Sequence, residues 1–170
     1  YGLDDISDSD KVVIFVEGEM DKLSLYEAGI KNCVSVPDGA PSITSKDYSS
    51  KFDFLSEPKI NGVENGRTYI IAVDNDGPGQ RLQEELARRI GKEVCSRVTW
   101  PEGCKDANDV LVNHGRKVLV ECIEHAEPYP IAGTFTTSDL TDKLGELYDH
   151  GLERGISTGW KSLDKHYLVR

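Results

Sequence analysis

The sequence contains little of what marks membrane, secreted or zinc-stabilised proteins. It has no run of about 18 apolar residues, so it predicts no membrane-spanning helix and no membrane partner. Its acidic, polar first ten residues have neither the apolar segment of a signal peptide nor the arginines of a transit peptide. The cysteines lie far apart, which disfavours a structural zinc site and favours reduced thiols in an intracellular protein or an organelle matrix: Cys33, Cys95, Cys104 and Cys122.

Common catalytic and nucleotide-binding motifs are also missing. No GxxxxGK sequence followed by Ser or Thr occurs, which excludes a P-loop, and no GxGxxG follows the first strand, which disfavours dinucleotide binding. There is no serine or cysteine nucleophile motif. The histidines show no metal-ligand spacing, and we interpret them as surface or packing residues: His114, His125, His150 and His166. The formal net charge of -10 disfavours binding of nucleic acid by bulk charge alone and suits a site that gathers divalent cations.

The order of apolar segments predicts an α/β fold. With 170 residues the chain has the length of a single domain. Four apolar stretches rich in β-branched residues are typical of buried strands, and helical patterns separate them: residues 12–17, 33–36, 68–73 and 95–100. This alternation predicts a mostly parallel sheet of about four strands with helices on both faces.

The spacing of apolar residues also predicts which helix faces are buried. A helix over residues 20–29 places Leu23, Tyr26 and the small Ala28 on helical spacing. A stronger helix follows residue 79, ends at Gly91, and has an apolar face formed by Leu82, Leu86 and Ile90. Residues 106–126 predict one or two helices with a break near Gly115, and residues 48–55 predict a short helix.

The chain divides into three parts by composition. Residues 1–10 form an acidic N-terminal segment, and residues 11–130 form the compact domain. Residues 131–170 cannot build a core of their own and are typical of a connector between domains. This tail contains a C-terminal linker helix with apolar positions Leu140, Leu144 and Leu147.

Acidic residues follow two of the predicted strands where each strand ends. Glu17 ends the first strand, and Asp74 and Asp76 end the third. The carboxyl ends of parallel strands lie at one edge of a sheet, so we expect the three carboxylates to converge there. Such a group repels itself unless cations neutralise it, and its hard oxygen ligands suit Mg²⁺ or Mn²⁺.

Each of these acidic segments has a simpler interpretation when taken alone. The Asp74–Gly79 segment has the composition of a turn with a helix N-cap, and Glu17 and Glu19 complement a helix dipole. The KDAND segment that begins at Lys105 is a typical acidic N-cap. Because all three occur after strands of one sheet, we favour a functional site over three separate caps.

A few basic residues are candidates for steering phosphate groups. They are Lys105, Arg67, Arg81 and Arg97. Arg81 lies among other charged residues of a helix, and we interpret it as part of a solvated face.

Three motifs in order resemble those of Toprim domains, over about residues 11–130. VVIFVEGEMDKLSLYEAG is similar to the first Toprim motif, IIAVDNDGPGQ to the second, and KDANDVL to the third acidic element of phage and organellar primase-helicases. Five segments resemble most the Twinkle-type primase-helicases of plant organelles: SVPDGAPS, DNDGPGQ, ARRIGKE, KDANDVL and AEPYPI. The tail GISTGWKSLDKHYLV is similar to the entry into their helicase domain, which suggests a fragment or a helicase-less relative.

The resemblance assigns roles to residues by position in the motifs. It implies a Toprim, Rossmann-like fold in which Glu17 is a metal ligand or general acid/base and Asp74 and Asp76 are the metal-binding pair. Asp106 is the outer metal-associated acid. The supporting residues are Asp21, which orders its neighbours, Gly18, Asp109 and Lys105.

The resemblance also implies the reaction and the partners. Family members use two divalent cations to copy single-stranded DNA into short RNA primers from nucleoside triphosphates. The implied partners are that template, the nucleotides, and the zinc-binding, N-terminal primase and helicase regions that this chain lacks, or a full-length homologue that supplies them. The implied location is the mitochondrion, the chloroplast or both.

Two other functions stay open from the sequence. One is a Toprim nuclease or topoisomerase fragment, although none of the seven tyrosines has the context of a nucleophile. The other is a non-catalytic interaction module of an organellar replisome that docks through the helix with Leu140, Leu144 and Leu147.

Overall fold

The computed structural model describes residues 1–40, 50–63, 66–135, 137–151 and 157–166. They form two compact units, residues 1–131 and residues 132–170. Within the described ranges, no helix combines the length and the apolar character needed to cross a membrane.

A five-stranded sheet forms the centre of the first unit. Its strands lie in the order β2-β1-β3-β4-β5, and the first four run parallel. The bounds are β1 Val12–Val16, β2 Cys33–Ser35, β3 Thr68–Ile71, β4 Cys95–Arg97 and β5 Glu127–Pro128. The predicted α/β class and parallel sheet are confirmed, with one strand more than the four expected. The added β5 is two residues long and antiparallel, and its proline is tolerated because it lies at the sheet edge.

The strand order reverses direction between β1 and β3. The chain leaves β1 through a helix to reach β2 on one side, and then crosses to β3 on the other side of β1. Parallel pairing sets Phe15 opposite Ile71, so both strands end at the same level. In open α/β sheets a crevice forms at such a switch point, and ligands bind there.

Helices cover both faces of this sheet, as predicted. Their bounds are α1 Glu19–Glu27, α2 Gly77–Ile90, α3 Ala107–His114, α4 Arg116–Glu124 and, in the second unit, α5 Thr137–His150. Alternate residues of β1 face opposite cores: Phe15 packs in the core with α2, and Ile14 packs in the core with α1, α3 and α4. The expected break at Gly115 is confirmed, since α3 ends there at a positive φ of 83°.

The α2 helix follows the sequence pattern closely. Leu82 and Leu86 are fully buried, Ile90 is half-buried, and Gly91 ends the helix. Its start is fixed by Asp76, whose side chain accepts a hydrogen bond from the Gly79 amide at 2.8 Å.

The predicted apolar face of α1 is wrong. Leu23 and Tyr26 are 44% and 46% exposed, and the face toward the core carries Leu25 together with Asp21, Lys22 and Ser24. The polar residues are buried because they have partners: Lys22 Nζ lies 2.6 Å from Asp5 Oδ2. The acidic N-terminal segment thus packs against α1.

The remaining short elements agree with the sequence in part. A 3-10 helix covers Ser50–Ser56 where a short helix was predicted over residues 48–55, of which residues 48 and 49 lie outside the described residues. The strand predicted over residues 95–100 ends at Arg97. In the second unit, α5 forms where the amphipathic pattern predicted a helix, and Leu144 and Leu147 are largely exposed on that unit.

The cysteines give a direct test of this core. Burial raises the pKa of Cys33 to about 12 and that of Cys95 to about 12, so hardly any reactive thiolate exists at pH 8. We expect iodoacetamide to modify half-buried Cys122 first in the native chain, and Cys33 and Cys95 only after unfolding in guanidinium chloride. Peptide mass spectrometry over time measures this order, and equal native rates for Cys33 and Cys122 would contradict the buried position of β2.

Candidate active site

The predicted acids do converge at the switch point between β1 and β3. Glu17 directly follows β1, Asp74 follows β3, and Asp76 caps α2, which begins at the next residue, Gly77. The carboxylates are close enough to repel one another, because the charges of Asp74 and Asp76 both raise the pKa of Glu17. The parallel register of β1 and β3 is therefore what assembles this group, as the sequence pattern predicted.

A lysine ammonium group lies between two of these carboxylates. Lys105 Nζ is 2.6 Å from Asp74 Oδ2 and 3.5 Å from Asp76 Oδ2. The hydrogen bond and charge of Asp74 raise the pKa of Lys105. Burial nevertheless raises the pKa of Asp74 more than its hydrogen bond to Lys105 lowers it. The site thus contains its own counter-ion, held to a buried carboxylate.

The backbone of Lys105 is anchored on both sides. Its amide donates to Asp109 Oδ2 at 3.0 Å, and its carbonyl accepts from the Asn75 amide at 2.8 Å. Asn75 lies between the two acids of the second motif, so the third motif is tied directly to the second. Asp109 thus holds the backbone of Lys105, and the supporting role that the resemblance implies for it stays a prediction.

Glu17 has one engaged oxygen and one free oxygen. Oε1 accepts a hydrogen bond from the Ala40 amide at 3.1 Å, which brings the turn after β2 over the side chain. Oε2 is buried and has no hydrogen-bond partner among the described residues. Burial and the charge of Asp74 raise the pKa of Glu17. A buried carboxylate oxygen without a partner is rare in folded proteins and indicates a place for a cation or a proton.

Asp21 connects the first motif to the third. Oδ2 accepts from the Gly18 amide and Oδ1 accepts from the Asn108 amide, each at 3.3 Å. Burial, followed by the charge of Asp106, raises the pKa of Asp21 to about 6. Both oxygens therefore hold backbone groups at the starts of α1 and α3, consistent with the ordering role that the resemblance implied.

Asp106 caps α3. Its Oδ1 accepts from the Asp109 amide at 2.8 Å, which is the simpler of the two interpretations open from the sequence. Its charge nonetheless raises the pKa of both Asp21 and Asp74, so it lies within electrostatic reach of the acidic group. Its role toward a metal stays a prediction.

Three residues that hold the site were missed in the sequence. A Cβ at Gly79 would lie 2.1 Å from the Asp74 carbonyl oxygen, so only glycine lets α2 start this close. The Trp100 indole nitrogen donates to the Val73 carbonyl at 2.9 Å, one residue before Asp74. The Asn108 amide donates to Asp21 Oδ1 as described, and the position of Asn108 inside the KDAND motif was the signal available for it.

The basic residues proposed to steer phosphates separate into different classes. Arg67 is 5% exposed and donates to the carbonyls of Ser7 and Asp10, so its proposed role is wrong and it fastens the N-terminal segment instead. Arg81 is exposed on α2. Arg97 lies at the end of β4, and its Nε is buried without a hydrogen-bond partner in the described residues.

A cavity of about 540 Å³ opens beside Asp74. Its wall includes Arg97, Lys92, the side-chain amide of Gln83, and the rings of Trp100 and Tyr129. This volume is within the range of small-molecule sites, and cationic, amide and aromatic groups together suit a nucleotide. The cavity thus extends the acidic group toward β4 and β5.

The donor set fits a divalent cation, although it is not arranged around one. In the described part of the chain, no three His, Cys, Asp or Glu side chains form a ready metal site. The carboxylate oxygens that accept no backbone hydrogen bond from a described residue are hard donors, which Mg²⁺ prefers: Glu17 Oε2, Asp74 Oδ2 and Asp76 Oδ2. Two of them face Lys105, so the lysine occupies the space where these donors would otherwise meet a metal.

Comparison with known proteins reveals a consistent set of relatives. The model of a Toprim-like family matches residues 14–111. The chloroplastic/mitochondrial Twinkle homolog of Arabidopsis thaliana is 50% identical over 182 aligned residues, which cover 99% of this chain and 25% of that protein. The primase homolog of the same plant is 49% identical over 141 residues, which cover 77% of this chain and 42% of that protein. The chain thus spans a quarter to two fifths of the length of these relatives.

Solved structures support the fold. A chain of the bacteriophage T7 complex between the lagging-strand DNA polymerase and primase domains superimposes with a TM-score of 0.55 at 24% identity, covering 70% of this chain and 56% of that one. The RNA polymerase domain of the Mycobacterium tuberculosis primase, bound to double-stranded DNA, gives a TM-score of 0.53 at 18% identity. The superposition covers 75% of this chain and 38% of that one. At these identities the likeness is one of fold.

Asp21 provides a test of the site's framework. We expect Asp21→Leu to lower the free energy of unfolding by about 2 kcal/mol, because two backbone amides lose their acceptor. Asp21→Asn keeps one acceptor oxygen but turns an NH2 group toward the second backbone amide, so its loss is expected to be about 1 kcal/mol, smaller than that of Asp21→Leu. Urea denaturation followed by circular dichroism measures both.

The matched control for Asp21 is Glu19→Leu, which makes the same kind of change at an exposed position of the same helix turn. It is expected to shift stability by less than about 0.5 kcal/mol. Equal losses for Asp21→Leu and the control Glu19→Leu would mean that the two hydrogen bonds of Asp21 do not support the fold.

Proposed function

The chain belongs to the Toprim-like family, and on that premise we propose that it is the catalytic part of a DNA primase, which joins ribonucleotides into RNA primers on single-stranded DNA with divalent metal ions. The resemblance to the Toprim domain of Twinkle-type primase-helicases, predicted from the three motifs, is confirmed by the family match and the plant relatives. The observation that carries the reaction itself is the group formed by Glu17, Asp74 and Asp76 at the switch point.

Each acid has a distinct part in the proposed reaction. Asp74 and Asp76 hold the metal through the oxygens that face Lys105, while Glu17 contributes Oε2. When bound, Mg²⁺ supplies Lewis-acid activation of the attacking 3′-hydroxyl and stabilises charge on the departing pyrophosphate. In the alternative role, in which Glu17 is not a metal ligand, Oε2 accepts the hydroxyl proton, because burial and the charge of Asp74 raise the pKa of Glu17.

The cavity beside Asp74 is the proposed place of the incoming nucleotide. Arg97 presents a buried Nε without a described partner, and a phosphate oxygen would satisfy that donor. The formal charge of -10 opposes a polyanionic template. Most template affinity is therefore expected from the N-terminal primase and helicase regions, which act as partners of this domain.

The proposed setting is DNA replication in mitochondria, chloroplasts or both. Its support is the plant relative named as a chloroplastic/mitochondrial Twinkle homolog, which is 50% identical over 99% of this chain. The two alternatives left open by the sequence are a nuclease or topoisomerase fragment and an interaction module. The unpartnered Oε2 of Glu17 favours a catalytic site over a module that only docks.

The metal part of the proposal is tested on the chain itself. In an isotope-labelled sample, Mn²⁺ is expected to broaden amide signals selectively around Glu17, Asp74, Asp76 and Asp106, because paramagnetic broadening falls steeply with distance. The variant with both Asp74→Asn and Asp76→Asn should lose this broadening while keeping its dispersed spectrum. Broadening spread over the whole acidic surface, or none that saturates, would remove the metal site.

The reaction is tested in a longer polypeptide that joins this chain to the N-terminal primase half. Primer synthesis on single-stranded DNA, measured as labelled ribonucleotide incorporation, should fall at least about 100-fold in Asp74→Asn and in Glu17→Gln, since each removes a transition-state charge. Glu124→Gln removes an exposed carboxylate at the end of α4 and should leave the rate unchanged. Mg²⁺-dependent cleavage of supercoiled DNA without primer synthesis would instead favour the nuclease or topoisomerase.

A further inference from the structure

We propose that Lys105 is an exchangeable counter-ion: it holds the carboxylates of Asp74 and Asp76 together when no divalent cation is bound, and a cation must displace it to bind. This inference rests on the metal-dependent function proposed above and adds a residue that opposes metal binding. Its consequence is that the site assembles without metal and has a lowered affinity for free divalent cations.

The first argument is that lysine and metal need the same atoms. Asp76 Oδ1 is committed to capping α2 through the Gly79 amide, which leaves Oδ2 for a cation. That Oδ2 lies 3.5 Å from Lys105 Nζ, and Asp74 Oδ2 lies 2.6 Å from it. Mg²⁺ binds carboxylate oxygens at about 2.0–2.1 Å, so an ammonium group and a metal cannot share this space.

The second argument is that Lys105 is built to move while its backbone stays in place. Hydrogen bonds to Asp109 and Asn75 fix its amide and carbonyl, whereas its side chain is 50% exposed and ends a flexible four-carbon stem. Lys22 is the contrasting case in the same molecule, since it forms an ion pair with Asp5 while only 2% exposed. The ion pair between Lys22 and Asp5 is thus part of the core, whereas the ion pair between Lys105 and Asp74 is open to solvent.

The third argument is electrostatic. Glu17, Asp74 and Asp76 bring three carboxylates to one crevice, and Lys105 is the ammonium group that pairs with two of them, so the group is short of positive charge even with Lys105 present. Without a metal, removing the ammonium group of Lys105 therefore increases the repulsion between the carboxylates. With a metal present, removing it abolishes a competitor for the carboxylate oxygens of Asp74 and Asp76. The two conditions predict opposite effects of one substitution, which a merely structural lysine would not produce.

The test compares Lys105→Met with Lys117→Met in the whole 170-residue chain. Lys117 is an exposed lysine on α4, so the control makes the same change of net charge away from the site. Free Mn²⁺, counted by electron paramagnetic resonance, should show binding about tenfold tighter to Lys105→Met than to the wild type, as loss of one charge-assisted hydrogen bond implies. Lys117→Met should stay within about twofold of the wild type.

Thermal unfolding supplies a readout independent of binding. Lys105→Met should melt at a lower temperature than the wild type in EDTA, and the deficit should shrink or reverse in millimolar Mn²⁺. Lys105→Arg keeps the positive charge and should restore wild-type behaviour in both measurements. In the wild type, acetylation of Lys105 should accelerate when Mn²⁺ is added, whereas the acetylation rate of Lys117 should not change. This measurement does not depend on the folding of any variant.

The outcomes separate this inference from the function on which it rests. Equal or weaker Mn²⁺ binding by Lys105→Met, or an unchanged acetylation rate, would overturn the counter-ion role. Absence of binding by every variant would overturn it together with the metal site. The expected Lys105 effects without primer synthesis in the longer polypeptide would leave this inference standing and reject the primase.

Discussion

Parallel pairing of β1 with β3, on the side of β1 opposite to β2, is the constraint on which the rest of the molecule depends. It forces the chain to reverse direction across the sheet and ends both strands at one level, each with a carboxylate. Most of this pairing is buried, because helices cover both faces of the strands. The cost is a concentration of negative charge at the crevice, which Lys105 offsets from the third motif.

The acids of this crevice also start the surrounding helices. Asp76 caps α2, Asp106 caps α3, and Asp21 accepts amides at the starts of both α1 and α3. Three helix N-termini with their partial positive charge therefore lie at this crevice and offset part of the effect of the burial that raises the pKa of Glu17, Asp21 and Asp74. Folding and chemistry thus draw on the same side chains, and the oxygens that accept no backbone hydrogen bond within the described ranges, such as Asp76 Oδ2 and Glu17 Oε2, remain for a ligand.

Sequence reasoning was most successful where burial leaves a continuous apolar pattern. The parallel strands and α2 were predicted because each buries a run or a stripe of apolar side chains, and the acids after β1 and β3 then follow from topology. It failed for α1, whose buried face is polar: Lys22 and Asp21 are tolerated there only through partners distant in sequence, Asp5 and Asn108. It failed for Arg67 for the same reason, and for β5 because two residues that include a proline carry no strand signal. Lys105 was assigned a supporting position, but its place between two carboxylates required coordinates.

The hydrogen bond from Trp100 to the carbonyl of Val73 has a practical consequence for optical work on this chain. The chain has two tryptophans, and they differ in surroundings: Trp100 is 6% exposed in the first unit, whereas Trp160 is 72% exposed in the second. Their fluorescence therefore separates by wavelength, with the shielded indole emitting to the blue of the hydrated one. Because the shielded indole is bonded to the peptide group that immediately precedes Asp74, the protein carries an intrinsic, label-free fluorophore whose emission registers any displacement of that stretch of backbone.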